Sequence, residues 1–192
     1  MNFTAARESI QSRLQRDLDP TLTYHNAAHT ADVARAAMRF AHSEGITDER
    51  ELECLELACW MHDSGFLESP HQHEKRACHF VDEWLPEFGV EENDRRLIKQ
   101  LIRATQLHSP ATTLLEQIIQ DADLDYLGRE DYEEKANGLR REMERRGQSF
   151  SESDWLEFQI HFLSTHRYNT TSARELRQPG KRAHLDALRA AR

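Results

Sequence analysis

Apolar residues recur along this chain at three- and four-residue intervals, the spacing that lines one face of an α-helix. Phe3, Ile10, Leu14 and Leu18 mostly keep that spacing until Pro20 closes the segment. A second helix is predicted from Ala27 to Glu44, with Val33, Ala37, Phe40 and Ala41 on its apolar side and Gly45 as its stop. Thr47 or Asp48 offers an N-cap for a third helix, whose Leu52, Leu55, Cys59 and Met61 run into His62-Asp63. Gly65 to Pro70 reads as a loop. Further helices are predicted near 72–85, 91–106, 111–126, 130–146 and 152–165, and the pattern extends over 171–190. The segment RRLIKQLIRAT is the most strongly amphipathic, with Leu97, Ile98, Leu101 and Ile102 on one stripe. No alternating strand pattern, hairpin dipeptide or internal repeat interrupts this, so the fold class is all-α.

At 192 residues the chain suits one domain spanning 1–192, with a C-terminal helical extension over about 150–192. The linker-like stretch GQSFSES (147–153) is too short to demand a boundary. The 34 acidic against 25 basic residues give a net charge of -9, which excludes general nucleic-acid binding and attraction to anionic membranes. The basic run LRREMERR (139–146) lies among Glu133, Glu134, Glu142 and Glu144 and reads as a solvated helix face. No run approaches the ~20 apolar residues that span a bilayer, and the N-terminal stretch lacks a continuous apolar segment. Cys54, Cys59 and Cys78 show no C-x-x-C spacing and fall inside helical patterns, as buried free thiols do. These features point to a cytoplasmic protein.

The candidate chemistry lies near helix ends. YHNAAHTADV (24–33) puts His25 and His29 one turn apart on one helix face, where both can bind a metal, or one can bind and the other move protons. His62-Asp63, His73-Glu74, His108 and the acidic run DADLD (121–125) follow. Gly-rich phosphate loops, serine-hydrolase elbows, zincin helices and the zinc-deaminase pattern are all absent. Taken singly, a helical histidine is usually a hydrogen-bonded polar residue and a terminal aspartate usually a cap. Order and spacing together point beyond that.

H-x-x-x-H, then HD, then an acidic residue further on resembles the HD superfamily of metal-dependent phosphohydrolases. YHNAAHTADV looks like the Y-H-N-x-x-H segment of cyclic-nucleotide phosphodiesterases and of small bacterial HD phosphohydrolases. ACWMHDSGF, HEKRA, LIRATQLH, QDADLDYLG and HFLSTHRYNTTSARELR resemble successive motifs of the small proteins, covering roughly residues 22–190. The resemblance implies a helical bundle with a metal site between its helices. It makes His29, His62, Asp63 and Asp123 the metal ligands, with Asp121 the alternative acid because DADLD offers several carboxylates. It implies one or two divalent ions, drawn from Mn, Mg, Fe, Zn or Ni, with Asp63 bridging to the second. His25 would be the general acid, with Asn26 supporting it and Tyr24 packing nearby. Glu74 would orient the shell of the second metal, with Thr105 and His108 beside it.

The implied activity is hydrolysis of a small phosphate ester, a nucleotide or cyclic nucleotide, by a metal-activated water. Two other classes stay open. One is a di-iron oxygenase of the same scaffold, with His73 and His108 serving the second metal; the other is a non-catalytic, metal-stabilised nucleotide-binding module. Arg167 and Lys181 are candidates to meet substrate phosphate, but read first as solvated surface charges. Oligomeric state is not legible from these residues.

Overall fold

The computed structural model describes residues 1–192. Nine α-helices follow one another without a strand: α1 (Phe3–Asp17), α2 (Ala27–Ser43), α3 (Glu49–Met61), α4 (His73–Trp84), α5 (Glu92–Ala104), α6 (Leu114–Asp123), α7 (Tyr132–Arg145), α8 (Glu152–Thr165) and α9 (Thr171–Ala190). Short 3₁₀ turns occupy Ser64–Leu67, Leu85–Phe88 and Asp125–Gly128. The all-α class read from the periodicity is what the chain adopts.

Local chemistry explains the boundaries. Asp48, rather than Thr47, caps α3 by accepting the Glu51 N–H. Thr113 and Ser151 form capping boxes with Glu116 and Asp154 at the starts of α6 and α8. The segment expected as one helix over 111–126 is therefore shorter. It begins after the Thr113 cap and breaks at Leu124 into the turn that follows. The expected loop after His62-Asp63 is in part a 3₁₀ turn, with Gly65 and Phe66 buried.

Two apolar cores result. The larger lies among α1–α6, where Phe40, Leu55, Leu57, Met61, Ile98, Leu101, Ile102 and Ile118 are fully enclosed. The smaller joins α7, α8 and the Asp125–Gly128 turn through Tyr126, Leu127, Tyr132, Ala136, Trp155 and Leu163, with Tyr24 from the segment before α2. At its edge α9 lies backbone-on-backbone against that turn. A methyl group on Gly180 would stand 2.2 Å from the Gly128 carbonyl oxygen, so neither position has room for a side chain. The segment that presents Tyr24 and His25 packs on the smaller core and leads directly into α2 of the larger one. The three cysteines are free and buried, and no helix is long and apolar enough to cross a membrane.

Candidate metal centre

Three helix termini deliver the candidate ligands to one point. Asn26 caps α2, its side chain accepting the N–H groups of Ala28 and His29 at 3.0 and 3.1 Å. That cap sets His29 in the first turn, facing inward and 5% exposed. His62 ends α3, and Asp63 follows in the turn that leaves it. Asp123 is the last residue of α6. Gly65 lets the start of α4 close over this turn, since a β-carbon there would lie 2.0 Å from the His73 carbonyl oxygen.

One ligand atom each from His29, His62 and Asp123 lies within 4.8 Å of the others. His29 Nε2 is 3.1 Å from Asp123 Oδ1 and 3.5 Å from Asp63 Oδ2. His62 Nε2 is 3.2 Å from Asp63 Oδ2 and 3.4 Å from Asp123 Oδ1. His62 Nδ1 donates to the Cys59 carbonyl at 2.7 Å, so in the neutral ring Nε2 carries a lone pair aimed at two carboxylates. His62 Nε2 and Asp63 Oδ2 are both buried without a hydrogen-bond partner. Acceptors converging on a dry centre repel one another unless a cation or a proton lies between them. Without a cation the proton takes that place: burial favours neutral His62, but Asp63 and Asp123 outweigh it and hold its pKa well above the usual imidazole value. Asp63 and Asp123 are held below the carboxylate range by the same histidines, against the upward push of burial. Two imidazoles and two carboxylates form a donor set that suits a divalent ion of the Mn–Zn series.

The surroundings extend the centre on one side. His73 Nε2 lies 3.4 Å from Asp63 Oδ1, the oxygen facing away from His62, and 3.4 Å from Glu74 Oε1. His25 stacks on Phe66 at 4.3 Å between centroids and is 6.1 Å from the His29 ring. Tyr24 packs on His29 at 4.6 Å, and burial keeps its phenol protonated. Glu74 reaches the centre only through His73 and otherwise lines a groove with Lys75, Lys99 and Arg103. His108 is not brought to the centre. It lies exposed at φ 69° on the rim of a separate cavity lined by Gln120, Asp121, Phe158, Phe162 and Arg167. Thr105 donates to the Ile102 carbonyl at the end of α5.

Asp121 and Asp123 point in different directions. Both oxygens of Asp121 are taken by the loop before α9: the N–H groups of Asn169 and Thr170 and the Thr170 hydroxyl each donate at 2.7 Å. The acid left open by the sequence register is therefore a clamp for that loop, and of the two only Asp123 joins the histidines.

Glu142 is the residue that sequence reasoning passed over. The run 139–146, read as a solvated face, buries it to 2% exposure. Its Oε1 accepts from His25 Nδ1 at 2.6 Å, and its Oε2 accepts the backbone N–H groups of Tyr24 and His25, both at 3.0 Å. Burial pushes its pKa up, but these donors prevail and keep it below the usual glutamate value. A faint signal existed: Glu142 shares a helix face with Tyr132, Ala136 and Leu139, the apolar side of α7. Lys181, expected on the surface, is also buried. Its Nζ donates to the His166 carbonyl at 2.7 Å, and burial lowers its pKa to about 8.

Comparison with known proteins follows the same outline. The HD domain family matches residues 26–125. No curated protein matches the chain. Among solved structures, Bacillus subtilis YpgQ superimposes with a TM-score of 0.71 at 20% identity, over 100% of this chain and 96% of that one. A structure of YpgQ in complex with ADP gives 0.70 at 19%, over 100% and 95%. A predicted HD superfamily hydrolase from an uncultured Thermotogales bacterium gives 0.62 at 16%, over 98% and 90%. At these identities the likeness to solved structures is one of fold.

Proposed function

The chain belongs to the HD domain family, and from that premise we propose that it is a metal-dependent phosphohydrolase acting on a small phosphate ester of the nucleotide class. The observation that carries this reading is the buried pair His62 Nε2 and Asp63 Oδ2, both unpartnered and both directed at one point with Asp123 and His29. His29, His62, Asp63 and Asp123 would hold the first ion, and Asp63 Oδ1, beside His73, faces the position of a second. Bound divalent ions supply charge neutralisation for the phosphoryl oxygens and an acidified water. His25 holds the proton for the departing oxygen. Glu142 takes its Nδ1–H, which fixes the ring and leaves Nε2 free to donate. Glu74 orients His73. The ADP bound by YpgQ, a protein of the same fold, supports a nucleotide among the phosphate esters.

His73 favours a second reading, since a third imidazole 3.4 Å from Asp63 also suits the iron pair of an oxygenase. One experiment separates the two. Metal content is measured on protein purified without chelator, wild type and Asp63→Ala, beside hydrolysis of nucleoside phosphates, cyclic nucleotides and an aryl phosphodiester in added Mn. Bound metal and hydrolysis, both lost in the variant, support the phosphohydrolase. Bound iron with oxygen uptake and no hydrolysis turns the assignment to the oxygenase. No bound metal after reloading rejects both.

A further inference from the structure

One cation beside the centre has no part in the reading above. Arg146, at the end of α7, donates from Nη2 to Glu142 Oε1 at 2.5 Å, the same oxygen that accepts from His25 Nδ1. Its guanidinium carbon lies 5.0 Å from the centroid of Phe66, the ring on which His25 stacks. Arg146 and His25 are thus neighbours, joined by one carboxylate oxygen and one aromatic ring. Glu142 is 2% exposed while the Arg146 side chain is 30% exposed, so the guanidinium stands at the open side of a closed dyad.

Glu142 does not depend on this arginine. Its two oxygens already receive the His25 ring and two backbone N–H groups. Arg146 gives one of its five N–H donors to Glu142, and its side chain keeps 30% of its exposure. A planar fork with free donors fits phosphate oxygens in paired hydrogen bonds. In a chain of net charge -9, an anionic substrate needs such a local cation at the mouth of an acidic centre.

We propose that Arg146 binds a second phosphate, carried on the leaving side of the substrate, so that the preferred substrates are phosphoanhydrides such as nucleoside diphosphates or triphosphates. The inference rests on the phosphohydrolase reading, because the proton donor marks where the leaving group lies. In the reaction, water oxygen bonds to one phosphorus and the bridging P–O bond breaks. The bridging oxygen departs on the other phosphate with the proton held at His25, and the water proton passes to solvent. Whichever phosphorus is attacked, the departing oxygen carries a second phosphorus group or its nucleotide past His25 toward Arg146. Nucleoside monophosphates and cyclic nucleotides have no second phosphate to offer there.

The test compares ADP with AMP on Mn-loaded full-length protein, wild type, Arg146→Ala and Arg146→Lys. Loosening of Glu142 affects both substrates alike, so the ratio of their kcat/KM values isolates the second phosphate. Wild type is expected to prefer ADP. Arg146→Ala should reduce that preference at least about tenfold, mainly through KM, and Arg146→Lys should restore part of it. A ratio unchanged by Arg146→Ala, or no preference in wild type, overturns the inference. If wild type turns over neither compound, the same ratio is read from calorimetric Kd values. A binding preference for ADP lost in Arg146→Ala keeps the anion site and rejects the hydrolase, whereas equal or absent binding of ADP and AMP rejects the site itself. Thermal melts of each variant confirm that it is folded.

Discussion

His25 and His29 sit one helical turn apart, yet they meet different partners: Asp123 and Asp63 for His29, Glu142 for His25. The difference is which neighbour each ring can reach, and under the proposed reading it makes one a ligand and the other a proton carrier. Glu142→Gln keeps the shape but removes the carboxylate charge that faces His25 Nδ1. Its expected effect is a fall in kcat of about 10- to 100-fold with metal content unchanged, measured by steady-state kinetics beside metal analysis. Loss of metal in this variant would contradict the division. The two aspartates of DADLD part in the same way. Asp123→Asn should lose bound metal with little change in folding. Asp121→Asn should retain metal but lose about 1–3 kcal/mol of stability, since an amide cannot accept from Asn169 and Thr170 at both atoms. Metal titration and urea unfolding of both variants distinguish these outcomes.

Helix ends carry the site, so the devices that set helix ends also set the chemistry. At the start of α6, Glu116 accepts from Gln100 Nε2 at 2.9 Å, from the Thr112 N–H and hydroxyl at 2.7 and 2.8 Å, and from the Thr113 N–H at 2.8 Å. Burial raises its pKa, but these donors outweigh it and bring it down to about 2. A carboxylate with a depressed folded pKa contributes stability above its ordinary value near 4.5, and that contribution is lost as pH falls toward 2. The expected loss is on the order of 2 kcal/mol, read from urea unfolding at pH 6 and pH 3. Glu116→Gln should be less stable at pH 6 and should lack this part of the pH dependence; an unaltered pH profile would remove the capping account. The other end of this helix presents Asp121 to the α9 loop and Asp123 to the histidines, so one ten-residue helix links the cap, the clamp and the candidate centre.

Across the whole molecule, the centre joins three helix termini that the chain separates by more than thirty residues, and its buried, unpartnered His62 Nε2 and Asp63 Oδ2 would be satisfied by a cation. Under the proposed reading, metal binding is therefore linked to global stability. A divalent ion at about 100 times its Kd adds about 2.7 kcal/mol, or roughly 5–10 °C in Tm for a chain of this size. Chelator should lower Tm by that amount in wild type and leave Asp63→Ala unchanged, as followed by calorimetry with and without added Mn. An equal response in both would place the ion elsewhere.

Much of this was legible in the amino-acid order. Periodicity and caps mark the helices because both are local: a stripe at three- and four-residue spacing and a side chain reaching three residues on suffice to start and align each one. YHN-x-x-H, HD and ADL were legible as a candidate series because each occupies a helix end that its own neighbours define, and the fold brings them to one point. Glu142, Arg146, the inward turn of Lys181, the contact of His73 with Asp63 and the choice of Asp123 over Asp121 were decided by the tertiary structure. Each depends on which helix faces meet: α7 against the segment before α2, α9 against the Asp125–Gly128 turn, α4 closing over Gly65. Local pattern states how apolar a face is; only packing selects the partner it meets, and a buried charge takes its role from that partner.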